Sequence, residues 1–319
     1  RERPGTRFVA EVKDSADATQ LIPFEYSTSQ AYGLEFGDLY VRFYLDGGVV
    51  ESSPGVPYEV VSPYTSAQVA ALEYAQSADV VYITHPEHPP YKLARVSALS
   101  WTLTAVVFAW PPFNDENTGT ITLTASGLTG SITLTASASL FVPSDVGSYF
   151  KISEVSASKY NQWTTGVAHT SGDIVYYLGN IYQAGTTASA GTRPPIHTTG
   201  TESDGVVDWA FLHDGAGYAQ VTAFTTNVLV SATVIKRLPT TSATTRWSEG
   251  AWSDRRGHPH AVTFYEDRLW FAGSTSRPQT LWASVSGDYE NHKYGTNDDD
   301  ALNYTINTQD MNTIEWLAP

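Results

Sequence analysis

The chain has 319 residues, 41% hydrophobic and 13% aromatic, which excludes a disordered polymer and leaves room for two or three domains. Its 33 acidic against 18 basic residues give a net charge of −15. That argues against a nucleic-acid-binding surface and against docking on anionic lipid, but not against an acidic conduit that nucleic acid passes without sticking.

There is no Cys, hence no disulfide framework and no thiol chemistry. No run reaches the roughly 18 apolar residues that a membrane-spanning helix needs. No secretory signal opens the sequence. The chain starts on Arg1 and stops at Pro319 just as another strand begins, so the expectation is part of a longer protein. The 19 Tyr and 9 Trp, among abundant Thr, Val and Ser, favour an all-β fold.

In chain order, Arg1–Arg7 is a polar opening with a Pro-Gly turn, and Phe8–Val12 is expected as a short strand. Leu21–Tyr26 and Tyr32–Phe36 follow. Asp38–Leu45 then alternates, with Val41, Phe43 and Leu45 on one face and Tyr40, Arg42 and Tyr44 on the other. Asp46-Gly47-Gly48 is a hairpin signal, and Tyr58–Val61 another strand. The spacing of Val69, Leu72 and Ala75, with a capping pattern at Thr65 and Gln68, predicts one helix over Thr65–Ala78. Asp79–Thr84 reads as a buried strand, whereas His85–Pro90 (HPEHPP) is too proline-rich for a central one. Tyr91–Val96 and Ala98–Phe108 return to β.

After a loop at Pro111–Gly119, Ile121–Gly127 (ITLTASG) and Ile132–Ala138 (ITLTASA) repeat one another and predict a hairpin with a Thr-rich exposed face. Tyr149–Val155 is a strand, and Tyr218–Val234 two strands around Thr225–Asn227. In His258–Asn291, Ala261–Tyr265, Arg268–Ala272 and Thr280–Val285, with Asp300–Ile306 as a fourth strand, read as one blade of a β-propeller. A lone blade cannot bury both faces and needs neighbours from elsewhere. The expected architecture is all-β and multi-domain, with one short helix near 65–78. It has a β-rich region at 1–158, a small β insertion at 159–214, and a β-rich region with the propeller-like blade at 215–319.

The insertion carries Trp163, Gly172-Asp173-Ile174-Val175, Tyr177, Gly179, Tyr182-Gln183-Ala184, Pro194 and Trp209 in an order that resembles the small chitin-binding type of carbohydrate-binding module. That resemblance implies glycan stacking on exposed rings, with Tyr177, Tyr182 and Trp209 the residues that would do it. The Trp that often follows the Tyr-x-Ala strand in such modules is absent from Gly185–Ser189.

Other constellations have plain readings. Glu266-Asp267 falls on a hairpin turn, and Asp288 and Glu290 on a loop. Asn297–Asp300 lacks the spacing of a calcium loop. His85–His88 and His258-Pro259-His260 invite a metal reading, but prolines intervene and no Cys or carboxylate ligand is near. No Gly-x-Ser-x-Gly elbow is present. Lys236, Arg237, Arg246, Arg255, Arg256, Arg268 and Arg277 are interleaved with Trp247, Trp252, Trp270 and Trp282. They could stack on bases, but on an acidic chain they are expected to pair within the fold or at subunit interfaces. No catalytic, cofactor or metal residues are assigned.

The phrases RPGTRFVAEV, LIPFEYSTSQAYGLEFGDLYVRFYLDGG, SPYTSAQVAALEYAQSADVVYITHPEHPPYKLAR and HPHAVTFYEDRLWFAGSTSRPQTLWASVSGDYEN occur in an order similar to that of the tail nozzle (tail tubular protein B-like) proteins of short-tailed bacteriophages. The likeness covers most of Arg1–Asp115 and Arg246–Pro319. It implies a non-enzymatic virion protein at the distal end of the tail, six copies forming a ring. The ring would continue the DNA channel from a tail adaptor protein, beside tail fibres or spikes, with phage DNA passing through unbound. A virion adhesin holding host-surface glycan through the insertion is the alternative, and a propeller glycosidase a more distant one.

Overall fold

The computed structural model describes residues 8–27, 30–154, 159–307 and 312–318. The Pro-Gly turn expected at 1–7, the end of the strand expected through Val155, and the boundary at 158 lie outside the described residues. The chain packs as two compact units, 1–112 with 256–319, and 113–255. It is almost wholly β.

Three larger antiparallel sheets form most of the first unit, beside a small hairpin of Glu51–Ser53 and Val56–Pro57. In the N-terminal sheet, Gln20–Ser27, Gln30–Gly37 and Tyr40–Leu45 run in sequence, with Gly48–Val49 and Glu59–Val61 pairing on the last of them. Asp46 and Gly47 take positive φ (53° and 76°), the geometry that reverses the chain after Leu45. The predicted alternation holds: Val41 and Phe43 are fully buried, together with Ile22, Phe24, Leu34 and Phe36. The middle sheet has the order Ser100–Ala105, His88–Ser97, Val80–His85, Glu73–Ser77. The third sheet is the blade: Ala261–Tyr265, Arg268–Ala272, Thr280–Ala283 and Leu302–Thr305 pair in that order, as the sequence predicts.

Strand Val80–His85 shows how the sheets stack. Val81 and Ile83 enter the core shared with the N-terminal sheet. Tyr82 and Thr84 point the other way: the Tyr82 ring meets Phe264 of the blade at 5.8 Å, and the Thr84 hydroxyl donates to the His260 carbonyl at 2.9 Å. A strand covered on both faces needs apolar residues at successive positions, which is why DVVYIT does not alternate. The blade's missing neighbour on this side is therefore an earlier stretch of the same chain.

Three local expectations fail. The helix over Thr65–Ala78 is absent. Its first turn starts as the capping pattern suggests, since the Thr65 amide donates to the Gln68 side chain at 3.0 Å. It stops after a 3-10 turn at Val69–Ala71, Leu72 turns extended, and Glu73–Ser77 becomes an edge strand paired to Val80–His85. The ladder with an adjacent apolar strand, and burial of Val69 and Leu72, outweigh weak helical spacing. The last two prolines of HPEHPP do lie in a central strand, with Pro86 in the turn before it. The ladder skips them: pairing runs from His88 with His85 directly to Tyr91 with Ile83, so Pro89 and Pro90 occupy the irregularity where no amide is needed. Phe8–Val12 joins no sheet; Phe8 is 76% exposed.

In the second unit the predicted repeat forms a hairpin, Leu123–Ala125 on Ser131–Ala136. It belongs to a six-stranded sheet continued by Leu229–Lys236, Ala216–Thr226, Tyr149–Ser153 and Trp247–Glu249. Leu134, Phe150, Ala219 and Val230 are buried beneath it. The segment 159–214 makes its own five-stranded sheet, Asn161–Gln162, Ile174–Tyr177, Asn180–Ala184, Asp208–His213 and Thr201–Ser203, around a separate small core.

Candidate functional site

The aromatic residues of the insertion were the sequence's most specific site. Tyr182 and Trp209 are fully buried. Trp209 Nε1 donates to Asp204 Oδ2 at 2.8 Å, its ring packs edge-on to His169, and the Tyr182 hydroxyl donates to the His197 carbonyl at 2.8 Å. Tyr177 is half-buried and meets the ring of Trp163 edge-to-face. The three side chains thus form the core and its margin, and neither Tyr182 nor Trp209 offers a ring face to a sugar.

What organises this core is Asp204, which sequence reading passed over. Its buried carboxylate accepts from the Gly191, Val206 and Val207 amides at 2.8, 3.0 and 2.8 Å, besides Trp209. Burial by itself raises a carboxyl's pKa; here the hydrogen bonds from Trp209 and the three amides outweigh it and hold Asp204 below the ordinary carboxylate value.

The acidic residues of the blade are tied into turns. Glu266 and Asp267 have positive φ (49° and 55°), as a two-residue hairpin turn demands. Asp267 accepts from the Tyr289 hydroxyl at 3.2 Å, and Asp288 from Asn291 at 3.0 Å. Glu290 binds Lys92 and accepts from Tyr82, clamping the blade to the middle sheet. In Asn297–Asp300, the Asp298 and Asp300 carbonyls take the Arg268 guanidinium at 2.6 Å each. Among the described residues no group of three or more His, Asp or Glu is placed to hold a metal. The structure does bring His85, Pro86 and His88 to His258 and His260, through the His258 amide on the Pro86 carbonyl at 3.1 Å.

Several of the basic and aromatic residues are paired within the protein, Arg246 at its surface. Arg246 meets Glu116 at 3.3 Å, and Arg255 meets the buried Asp145 at 3.3 Å. Trp282 is fully buried, Trp247 donates to the Ile121 carbonyl, and Trp270 to the Tyr265 carbonyl. None of these rings forms an open stacking platform.

Set against models of known protein families and against curated proteins, the chain matches none.

A second network escaped the sequence reading. On the face of the N-terminal sheet opposite Leu34 and Phe36, Glu35 is buried between the hydroxyls of Tyr40 and Tyr44, which both donate to it. Burial and then the Glu35 carboxylate raise both tyrosines well above the ordinary phenol value. Arg42 and Lys13 converge on Glu59 beside it, each at 2.7 Å. The available signal was the alternation of Tyr40, Arg42 and Tyr44 opposite Glu35, which shows only once the strands are in register. These contacts rivet one sheet face; they supply acceptors already engaged, not a nucleophile or a base.

Proposed function

We propose that this chain is a structural subunit of the tail nozzle of a short-tailed bacteriophage, forming the distal part of a DNA-ejection channel as a homo-oligomeric ring. The observation that carries the reading joins sequence to fold. The resembling phrases are separated by more than half of the chain, yet all fall in one compact unit: Leu21–Gly48 builds the N-terminal sheet, Ser62–Arg95 the middle sheet, and His258–Asn291 the blade. The insertion at 159–214, which departs from the simplest members, lies in the other unit, 113–255, together with the ends of the likeness at 113–115 and 246–255. A net charge of −15 suits a duct wall that must not hold phosphate, and Arg255 and Arg268 are engaged by Asp145 and by backbone carbonyls within the fold.

The test is electron microscopy of the purified protein, in negative stain and at a concentration above that of any weak assembly. Closed rings with a central channel support the reading. Particles of monomer size throughout, or closed two-fold dimers, contradict it.

A further inference from the structure

The two His-Pro motifs that the proposed function leaves unused meet at one joint. The segment Gly257–His260 straps the blade to the hairpin of Val80–His85 and His88–Ser97. On the hairpin side, the His258 amide donates to the Pro86 carbonyl at 3.1 Å, and the Thr84 hydroxyl to the His260 carbonyl at 2.9 Å. On the blade side, the His260 amide donates to the Gly273 carbonyl at 2.7 Å. The hairpin turn is itself held by an imidazole: the Glu87 amide donates to His85 Nδ1 at 3.1 Å. A backbone N–H can only donate, so this nitrogen must be unprotonated. His85 is 3% exposed.

We infer that this joint is an acid-opened latch, in which protonation of His85 releases the Gly257–His260 strap from the hairpin of the middle sheet.

An imidazolium has no acceptor, so protonation removes the bond that shapes the turn carrying Pro86. The new charge is poorly compensated. On its own hairpin His85 faces His88, with ring centroids 5.3 Å apart, and Glu87, whose carboxylate is engaged by Gln68 at 2.7 Å. From the loop before the 3-10 turn it faces Tyr64, at 6.1 Å, with Tyr91 behind that ring. From the strap come His260, which acts on its charge, and His258, whose amide meets Pro86; from strand Glu73–Ser77, Glu73 lies opposite Thr84 in the ladder. From the 312–318 segment comes Glu315, 3.7 Å from His260 Nδ1. Burial, then His88 and His260, push His85 down to about 4 while Glu87 opposes. A histidine at about 4 when folded and about 6.5 when exposed favours the open form by roughly 30-fold at about pH 5.

Hydrogen exchange of the whole chain, read by mass spectrometry and corrected for intrinsic pH dependence, tests this. Between about pH 7 and about pH 5, opening of peptides spanning 86–91 and 256–261 should rise by roughly 20-fold, while Gln30–Gly37 stays protected. His85→Asn keeps an acceptor for the Glu87 amide but cannot take up the proton, and should abolish that rise. Thr84→Val keeps every titrating group but lacks one tie, and should open at a higher pH than the wild type. Unchanged protection of the strap, simultaneous loss in Gln30–Gly37, or opening of either variant at the wild-type pH would overturn the inference.

Discussion

Asp204 offers the sharpest test of how the insertion is built. In Asp204→Ala, four donors lose their acceptor. The Val206 side chain is 55% exposed, so its amide is placed to recover a hydrogen bond from water. The other three belong to Gly191, Val207 and Trp209, all buried, and each orphaned donor costs about 1–3 kcal/mol. Little relaxation is available, because a Cβ on Gly191 would already sit 2.2 Å from the Asp204 carbonyl. The expected loss is about 3–9 kcal/mol, a large share of what a small domain possesses. Asp204→Asn retains one acceptor oxygen but turns an NH₂ toward two donors, and should lose about 2–4 kcal/mol. The depressed pKa sets the pH sense. The carboxylate's contribution is complete above the ordinary carboxylate value and fades as pH falls through the lowered one. Urea unfolding of the whole chain, followed by hydrogen exchange of peptides within 163–213, isolates this segment. A loss below about 1 kcal/mol in Asp204→Ala would refute the assignment of Asp204 as the pin of this core.

Three further outcomes are expected. Trp282→Ala, in the middle of the blade and 1% exposed, should cost about 3–5 kcal/mol in urea denaturation of the first unit and leave exchange in Ser131–Ala136 unchanged. Gly217→Ala would place a Cβ 2.0 Å from the Arg237 carbonyl, a backbone atom that cannot swing away; the six-stranded sheet should lose about 2 kcal/mol or more, read as a lower melting temperature. His292 is fully buried between Phe108 and Phe271, and burial, opposed by a hydrogen bond with the Ala283 backbone, drops it to about 3. Its unfolded form takes a proton near pH 6.5 and its folded form does not. Stability should therefore fall with acid from about 6.5 down to about 3, by up to about 1.4 kcal/mol per pH unit, and His292→Asn should flatten that slope in urea titrations.

The blade was legible because every strand carries its own boundary: Glu266-Asp267 makes a two-residue turn, Gly273–Gln279 a longer loop, and apolar residues fill the intervals. The Asp46-Gly47 and ITLTAS hairpins were legible for the same local reason. The segment Thr65–Ala78 was not, because its fate depends on Val80–His85, a partner whose pull exceeds the intrinsic preference of the segment. The HPEHPP strand was misjudged because prolines forbid a ladder bond but not a position at which the ladder skips two residues.

Site residues were harder. Tyr182 and Trp209 have the residue types of a sugar platform, but exposure is a property of packing, and both rings point inward. Their motif reported a fold-stabilising core. Asp204 lacks any motif, since its role appears only when residues 191, 206, 207 and 209 converge on it. The histidine joint joins residues more than 170 positions apart, beyond the reach of spacing arguments.

The proposal that this chain is a subunit of a tail nozzle ring is tested most directly by cryo-electron microscopy of phage particles in which the chain is detected. The account predicts density for the N-terminal sheet, middle sheet and blade, repeated about the tail axis around a central channel at the distal end. Density for this chain away from that axis, or present as single copies, would contradict it.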